Sequence, residues 1–253
     1  MAGASTRTGE WIRRFHPAPN AARLVCLPHA GGSATFFFPM SKELSPSVEL
    51  LAIQYPGRQD RRTEPCIDDI RVLADHIADE LRPWLDRPIA LFGHSMGAAV
   101  AFEVSVRLER AGVTPLVLFA SGARAPSRYR HERVHLRDDA GLLMELATLS
   151  GTSSQVLDDE EIMRTVLPVL RSDYRAVETY RYRPVPPLRC PVIAMTGEED
   201  PQVTLDEAES WSRHTTGGFG LRTFAGGHFY LTSHGAAVRD VITRHVGGTA
   251  ATD

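Results

Sequence analysis

Short runs of apolar residues alternate along the chain with stretches in which apolar residues recur every three or four positions. The apolar runs predict strands at residues 23–27, 50–54, 88–92, 116–120, 192–196 and 221–224. Several carry almost no polar residue, which is typical of parallel strands that are buried on both faces. The stretches between them predict helices at 67–85, 98–111 and 236–245. This alternation indicates an α/β fold, with helices flanking a mostly parallel sheet.

The alternation stops between residues 122 and 188, where no convincing strand occurs. Two helix-like segments there, DDAGLLMELATLSG and DDEEIMRTVLPVLRSDYRAVETY, begin with acidic residues that favour a helix N-terminus. Pro168 is expected to kink or split the second helix. An insertion of about 65 residues is long for a connection. We therefore expect a single domain spanning 1–253, with this insertion forming a helical cap over the carboxyl edge of the sheet.

Composition and charge exclude several classes of protein. The 253 residues are 43% hydrophobic and 23% charged, which is ordinary for a globular domain. The net charge of −3 gives no reason to expect nucleic acid or an anionic membrane as partner. No apolar signal segment occurs at the start and no run approaches about 18 apolar residues, so a soluble cytoplasmic protein is expected. The three cysteines show no metal or redox spacing, and Cys26 and Cys190 lie in apolar runs as buried thiols do.

Candidate chemistry is concentrated where the strand at 88–92 meets the following helix. The segment there reads GHSMG, a G-x-S-x-G pattern centred on Ser95. Between a strand and a helix this pattern indicates a nucleophile elbow, a turn too tight for a Cβ atom at Gly93 or Gly97. The turn would hold Ser95 with its hydroxyl exposed. His94 adjoins the serine and is interpreted as a support of the elbow rather than as the base.

A serine hydroxyl is a poor nucleophile until a base takes its proton, so an acid and a histidine should follow on later loops. The strand at 192–196 is followed by GEEDP, and the strand at 221–224 by AGGHF. We predict that His228 is the general base and that Asp200, which precedes the proline, fixes its tautomer. Glu198 and Glu199 are the alternatives for the acid.

Two backbone N–H groups must stabilise the oxyanion that forms when the serine attacks a carbonyl carbon. One is assigned to Met96, the residue after the nucleophile. The other is assigned to Ala30, within the segment PHAGG that follows the first predicted strand. The alternative is that these glycines only form a turn. Together these residues predict a serine hydrolase.

Longer motifs carry a resemblance that covers nearly the whole chain. They are LPHAGGSA, YPGR after the second predicted strand, GHSMGA, the helical insertion, GEEDP and GGHFYL. With them the chain resembles the α/β-hydrolase superfamily and, within it, the type II editing thioesterases of polyketide and nonribosomal peptide synthetases. The resemblance implies hydrolysis of acyl groups from the 4′-phosphopantetheine thiol of acyl or peptidyl carrier domains, through an acyl-enzyme on Ser95. The substrate carries the pantetheine, so no cofactor or metal of the enzyme is expected, and a monomer is expected.

Other functions remain open from the residues alone. A carboxylester hydrolase, or a thioesterase that releases medium-chain fatty acids, would need the same triad. A hydrolase-fold binding protein would keep a pocket without turnover, although the intact set of Ser95, Asp200 and His228 argues against it. In an enzyme, the cap is expected to gate an acyl pocket through an apolar face, and core packing is the alternative role for each member. That face comprises Leu142, Leu143, Leu146, Ile162 and Val166.

A cluster of basic residues opens the insertion. Arg124, Arg128, Arg130, Arg133 and Arg137 fall within fourteen residues, with only Glu132 opposing them. Because the resemblance implies small acidic carrier domains as partners, this cluster is a candidate docking surface. The alternative is an arginine-rich loop that is simply solvated.

Overall fold

Seven strands form one sheet. The structure, a computed structural model, describes residues 11–150 and 160–247, excepting the side chains of 150 and 160–164. The strands are β1 (Ile12–Arg13), β2 (Ala22–Leu27), β3 (Val48–Ile53), β4 (Ile89–His94), β5 (Leu118–Ser121), β6 (Val192–Gly197) and β7 (Phe219–Phe224). Their order is β1-β3-β2-β4-β5-β6-β7, with β1 antiparallel to β3 and the other pairs parallel. The predicted mostly parallel sheet is confirmed.

Helices cover both faces of this sheet. They are α1 (Phe38–Leu44), α2 (Ile70–Leu81), α3 (Met96–Arg110), α4 (Asp139–Ser150), α5 (Glu160–Thr179), α6 (Leu205–Glu209), α7 (Tyr230–Ser233) and α8 (Gly235–Val246). The predicted helices correspond to α2, α3 and α8. The first begins later than predicted because the Asp69 carboxylate caps it, accepting the N–H groups of Arg71 and Val72 at 2.7 and 3.1 Å. Within the described ranges, no helix has the length and apolar character needed to cross a membrane.

Successive residues of β2 face opposite sides of the sheet. Val25 and Leu27 pack with α2 and α3, whereas Leu24 and Cys26 pack with α1 and α8. Both faces of the strand are therefore buried, which explains why its sequence is a continuous apolar run and not an alternating one. Cys26 and Cys190 are both buried, as expected of core thiols.

The insertion forms a helical cap made of α4 and α5. Leu142 of α4, Leu170 of α5 and Val134 between β5 and α4 form a separate buried cluster. The helix α5 continues through Pro168, so the predicted split does not occur. Pro168 is exposed, and water can hydrogen-bond the carbonyl that the missing N–H leaves free.

The carboxyl ends of β2, β4, β6 and β7 lie at the same edge of the sheet, because these strands run parallel. The segments that follow them are PHAGG, the elbow, GEEDP and AGGHF. The fold therefore brings together four segments that are as much as 200 residues apart in sequence. This edge is also where open α/β sheets bind ligands.

Candidate active site

Ser95 lies on a strained turn between β4 and α3. Its backbone angles are φ 55° and ψ −119°, and Gln59 is the only other described non-glycine residue with a positive φ. Such a conformation is costly for a residue with a side chain and recurs at active sites. The Ser95 N–H donates to the Ser121 carbonyl at 2.8 Å, which ties the turn to the neighbouring strand β5. The half-buried side chain lines a pocket that Met96 and His228 also line.

The two glycines of the elbow leave no room for a Cβ atom. A Cβ on Gly93 would overlap the Gly97 carbonyl, and a Cβ on Gly97 would overlap the Leu27 carbonyl of the adjacent strand. Close approach of backbone to backbone therefore explains the G-x-S-x-G spacing.

His228 and Asp200 form a buried pair on the loops after β7 and β6. The His228 Nδ1 lies 3.0 and 2.9 Å from the two carboxylate oxygens of Asp200. The side chain of Asp200 has no solvent exposure and that of His228 is 2% exposed. Glu198 and Glu199 are exposed, so the structure places Asp200 against the histidine and not either alternative. Because Nδ1 is engaged, Nε2 is the ring nitrogen that remains for Ser95, which lines the same pocket as His228.

The segment PHAGG forms a tight turn, called here the oxyanion loop (residues 28–32). The Gly32 N–H donates to the His29 carbonyl at 2.9 Å, and Gly31 has φ 75°. The Ala30 N–H has no hydrogen-bond partner among the described residues, and the Met96 N–H opens α3, where the first N–H groups lack intrahelical acceptors. Ala30 and Met96 line the pocket beside Ser95. The predicted donors therefore lie at the site.

Two further histidines pack near His228. The His94 Nδ1 lies 2.9 Å from the Ser121 hydroxyl, which contacts the Tyr230 hydroxyl at 2.7 Å. Burial, and then the neighbouring His228, hold the pKa of His94 well below its usual range. The same causes lower the pKa of His29 to about 4. Both rings are therefore neutral near pH 7 and do not oppose a positive charge forming on His228, which fits the interpretation of His94 as a support.

The pocket lies between the sheet edge and the cap. Its apolar wall comprises Met96, Ala99, Ala123 and Ala125 from the sheet side, and Leu146, Leu149, Tyr174, Val177 and Tyr180 from the cap. Of the predicted apolar face, Leu146 lines the pocket and Leu142 is instead fully buried in the cap cluster. Leu143 is half-buried and Val166 packs against that cluster. The Ile162 side chain lies outside the described residues, and gating by the cap stays a prediction.

Most of the predicted docking arginines have acidic partners within the protein. Arg124 pairs with Glu132 at 3.1 Å, Arg128 with Asp206 at 2.9 Å, Arg130 with Glu207 at 2.7 Å and Arg137 with Glu145 at 2.9 Å. Three of these carboxylates come from α4 and α6, so counting charges near the arginines in sequence could not reveal them. Arg133 is exposed and has no carboxylate partner among the described residues. The local positive charge is thus smaller than the sequence suggested.

Sequence reasoning missed two residues beside the oxyanion loop, Arg58 of the YPGR motif and Asp173 of α5. The Arg58 guanidinium donates to both Asp173 carboxylate oxygens, at 2.7 and 2.9 Å. Asp173 also accepts the Gly31 N–H at 2.7 Å. The sequence pointed to the YPGR motif only because it resembles a motif of the family. Asp173 gave no signal, because its partner lies 115 residues away and a single acid in a helix is usually solvated.

A mostly parallel sheet with a serine on the turn after β4, and an acid and a histidine on later loops, defines the α/β-hydrolase class. Comparison with known proteins narrows the class further. Residues 22–246 match the family described as Thioesterase domain. The chain belongs to this family, and the protein is a hydrolytic enzyme.

Relatives share the family over most of this chain. The chain is 53% identical over 242 residues to the thioesterase PikA5 of Streptomyces venezuelae, a match covering 94% of this chain and 86% of that protein. Identity is also 53% over 242 residues to a probable cadicidin biosynthesis thioesterase of Streptomyces griseus, covering 95% and 67%. The solved structure of the type II thioesterase BorB from the borrelidin biosynthetic cluster matches with a TM-score of 0.89 at 53% identity, covering 95% and 99%. The family resemblance of the motifs is confirmed.

Proposed function

We propose that the protein hydrolyses acyl thioesters on the 4′-phosphopantetheine arm of acyl or peptidyl carrier domains. It would thereby remove stalled or aberrant units from a polyketide or nonribosomal peptide synthase, in the cytoplasm. The observation that carries the proposal is the His228–Asp200 pair beside the strained Ser95, in a chain 53% identical to a type II thioesterase along 95% of its length.

The acylation step uses the residues as follows. His228 takes the Ser95 proton at Nε2 as the Ser95 oxygen attacks the thioester carbonyl carbon. Asp200 accepts the Nδ1–H bond, which fixes the tautomer and stabilises the imidazolium. The N–H groups of Ala30 and Met96 donate to the oxyanion. When the tetrahedral intermediate collapses, the carbon–sulfur bond breaks, the pantetheine thiolate takes the proton from His228, and the acyl group stays on Ser95 as an ester.

Deacylation repeats the two proton transfers, with water in place of Ser95 as the nucleophile. His228 takes a proton from the water as its oxygen attacks the acyl ester, and the same two N–H groups hold the second oxyanion. The imidazolium then returns the proton to the Ser95 oxygen, and the free carboxylic acid leaves. Because an alkoxide leaves less readily than a thiolate, we expect this second step to depend more on proton donation by His228.

A panel of matched substrates tests the function. We expect kcat/KM to be highest for acyl groups on a carrier domain, lower for the same acyl group on N-acetylcysteamine, and lowest for the corresponding oxygen ester. Varying the acyl chain in length and branching gives its specificity. A higher value for the oxygen ester would indicate a carboxylester hydrolase, and a marked preference for medium-length fatty acyl groups would indicate a fatty-acid-releasing thioesterase. No turnover of any substrate would overturn the proposal.

Charge reversal at Arg133 tests the carrier-docking surface. We expect R133E to lower kcat/KM for an acyl-carrier substrate roughly two- to tenfold, because a surface charge near the pocket steers an acidic partner. Activity on the N-acetylcysteamine ester should not change. Added salt should reduce the wild-type value on the carrier substrate alone, since such steering is screened within about 10 Å at 0.1 M.

The matched variant is R130E, which breaks the contact between the insertion and Glu207 of α6. This variant should lose activity on both substrates, because it removes a contact that holds the cap. If R133E also lowered activity equally on both substrates, or on neither, the arginine cluster would not be a docking surface.

A further inference from the structure

A buried ion pair joins the cap to the oxyanion loop. Asp173 of α5 has no solvent exposure, and Arg58 is 6% exposed. The Asp173 oxygen that pairs with Arg58 Nη1 at 2.7 Å also accepts the Gly31 N–H at 2.7 Å. The same Arg58 nitrogen donates to the Gly32 carbonyl at 3.1 Å. The pair therefore holds the loop by two backbone groups on consecutive residues.

The ion pair restrains the backbone at two glycines, where the backbone angles are least limited by side chains. Gly31 and Gly32 lack side chains that would limit their backbone angles. The bond from Gly32 N–H to His29 closes the turn, but it leaves the peptide between Ala30 and Gly31 free to rotate. Asp173 fixes that peptide, because rotating it would turn the Ala30 carbonyl toward a carboxylate. The Ala30 N–H belongs to the preceding peptide, whose carbonyl, that of His29, accepts the Gly32 N–H, so holding Gly31 and Gly32 in place also holds the peptide that carries the Ala30 N–H. Helix α5 also packs closely here, since a Cβ on Gly31 would lie 2.6 Å from Leu170 Cδ2.

We propose that Asp173 and Arg58 are positioning residues that orient the Ala30 N–H toward the oxyanion, so that the oxyanion hole is complete only while α5 is docked. This inference rests on the proposed function. The inference implies that two parts of the cap behave differently. The part of α5 around Asp173 stays in place during the reaction, and any opening that admits substrate occurs elsewhere in the cap.

The burial of the pair also fits a positioning role. An ion pair removed from water contributes little net stability, because desolvation offsets most of the attraction between the charges. The two hydrogen bonds that the pair makes to backbone groups of the loop do not depend on such a gain. They fix a geometry, and misplacement of a catalytic group by about 1 Å can cost about 100-fold in rate.

The test compares D173N with the wild type. Asparagine keeps the shape and one acceptor oxygen, but it carries no charge. Its NH2 group cannot accept a hydrogen bond from Arg58 or from the Gly31 N–H. We expect kcat/KM for an acyl N-acetylcysteamine ester to fall about 100-fold per active site, as titrated with a fluorophosphonate. Affinity for a trifluoromethyl ketone analogue should fall in parallel, because Ser95 adds to its carbonyl and leaves an oxyanion in the hole. Affinity for the product carboxylic acid should stay within about twofold.

The control is R175A, on the same helix. Arg175 pairs with Asp68 at 3.2 Å and joins the cap to the body away from the oxyanion loop. Both its activity and its ketone affinity should stay within about twofold of wild type, because an exposed ion pair contributes little. A general weakening of the cap would instead affect R175A and D173N alike, and it would lower the affinity for the product acid as well.

R58K is a second test of the pair, for use if D173N does not fold. Lysine keeps a charge beside Asp173 but cannot reach both carboxylate oxygens and the Gly32 carbonyl, so we expect about a tenfold parallel loss. Either variant, folded and within about twofold of wild type in ketone affinity and in kcat/KM, would overturn the positioning role. A wild-type protein that hydrolyses no thioester would instead overturn the proposed function, while ketone affinity would still test the role of the pair.

Discussion

Replacement of Ser95 by alanine is expected to lower kcat for thioester hydrolysis by about a millionfold, as in serine hydrolases that lose their nucleophile. The variant lacks the oxygen on which the acyl group is carried. Its fold should be unchanged, because the Ser95 hydroxyl has no hydrogen bond to the rest of the described chain and the backbone strain at φ 55° is common to both residues. Unfolding free energy should therefore change by less than about 0.5 kcal/mol. Steady-state kinetics and thermal unfolding measure the two effects.

Labelling with a fluorophosphonate supplies the control for this variant. The wild type should be labelled at Ser95 and S95A should not react. H228A should be similarly inactive, although Ser95 remains present. An S95A enzyme that kept more than about 1% of wild-type activity would place the nucleophile elsewhere. A wild-type protein that failed to label would support the binding-protein alternative.

The sheet and the elbow could be predicted from the sequence because both depend on local chemistry. Strands buried on two faces are apolar almost throughout, and β2 to β6 show this pattern. The elbow shows in Gly93 and Gly97, where any Cβ would meet backbone. Strand β1 was missed because its two residues carry no periodicity. Helix α1 was missed because its seven residues, FPMSKEL, are too few to display a helical face.

The contacts that complete the site could not be predicted, because they join residues far apart in sequence. Glu207 neutralises Arg130 across 77 residues, and Asp173 reaches Arg58 across 115. A charged residue in isolation favours the surface, so a sequence gives no sign that Asp173 is fully buried. Only the packing of α5 on the oxyanion loop determines which carboxylate accepts the Gly31 N–H. The charge pattern along the sequence was therefore misleading where charged residues pair over a long separation, as in the arginine cluster.

Replacement of Asp200 by asparagine is expected to lower kcat about 10,000-fold, on the analogy of the serine-protease triad. In the wild type, both Asp200 oxygens lie within 3.0 Å of His228 Nδ1, so that nitrogen carries the proton and Nε2 is free to act as base. An asparagine amide can donate to Nδ1 and so favour the other tautomer, in which Nε2 carries the proton and cannot accept one from Ser95. The buried imidazolium also loses the charge that stabilises it.

The matched controls are E198Q and E199Q, which change neighbouring carboxylates of the same loop. Both side chains are exposed, so each variant should keep kcat within about twofold of wild type. Thermal unfolding of D200N separates a loss of catalysis from a loss of fold, because Asp200 also accepts the Gln202 N–H at 2.8 Å. If D200N kept most of its activity while E198Q or E199Q lost it, the acid of the triad would be that glutamate. The turn after β6 would then have to rearrange to bring an exposed carboxylate to His228. The loss should therefore fall on Asp200, since its carboxylate already holds the histidine in the described structure.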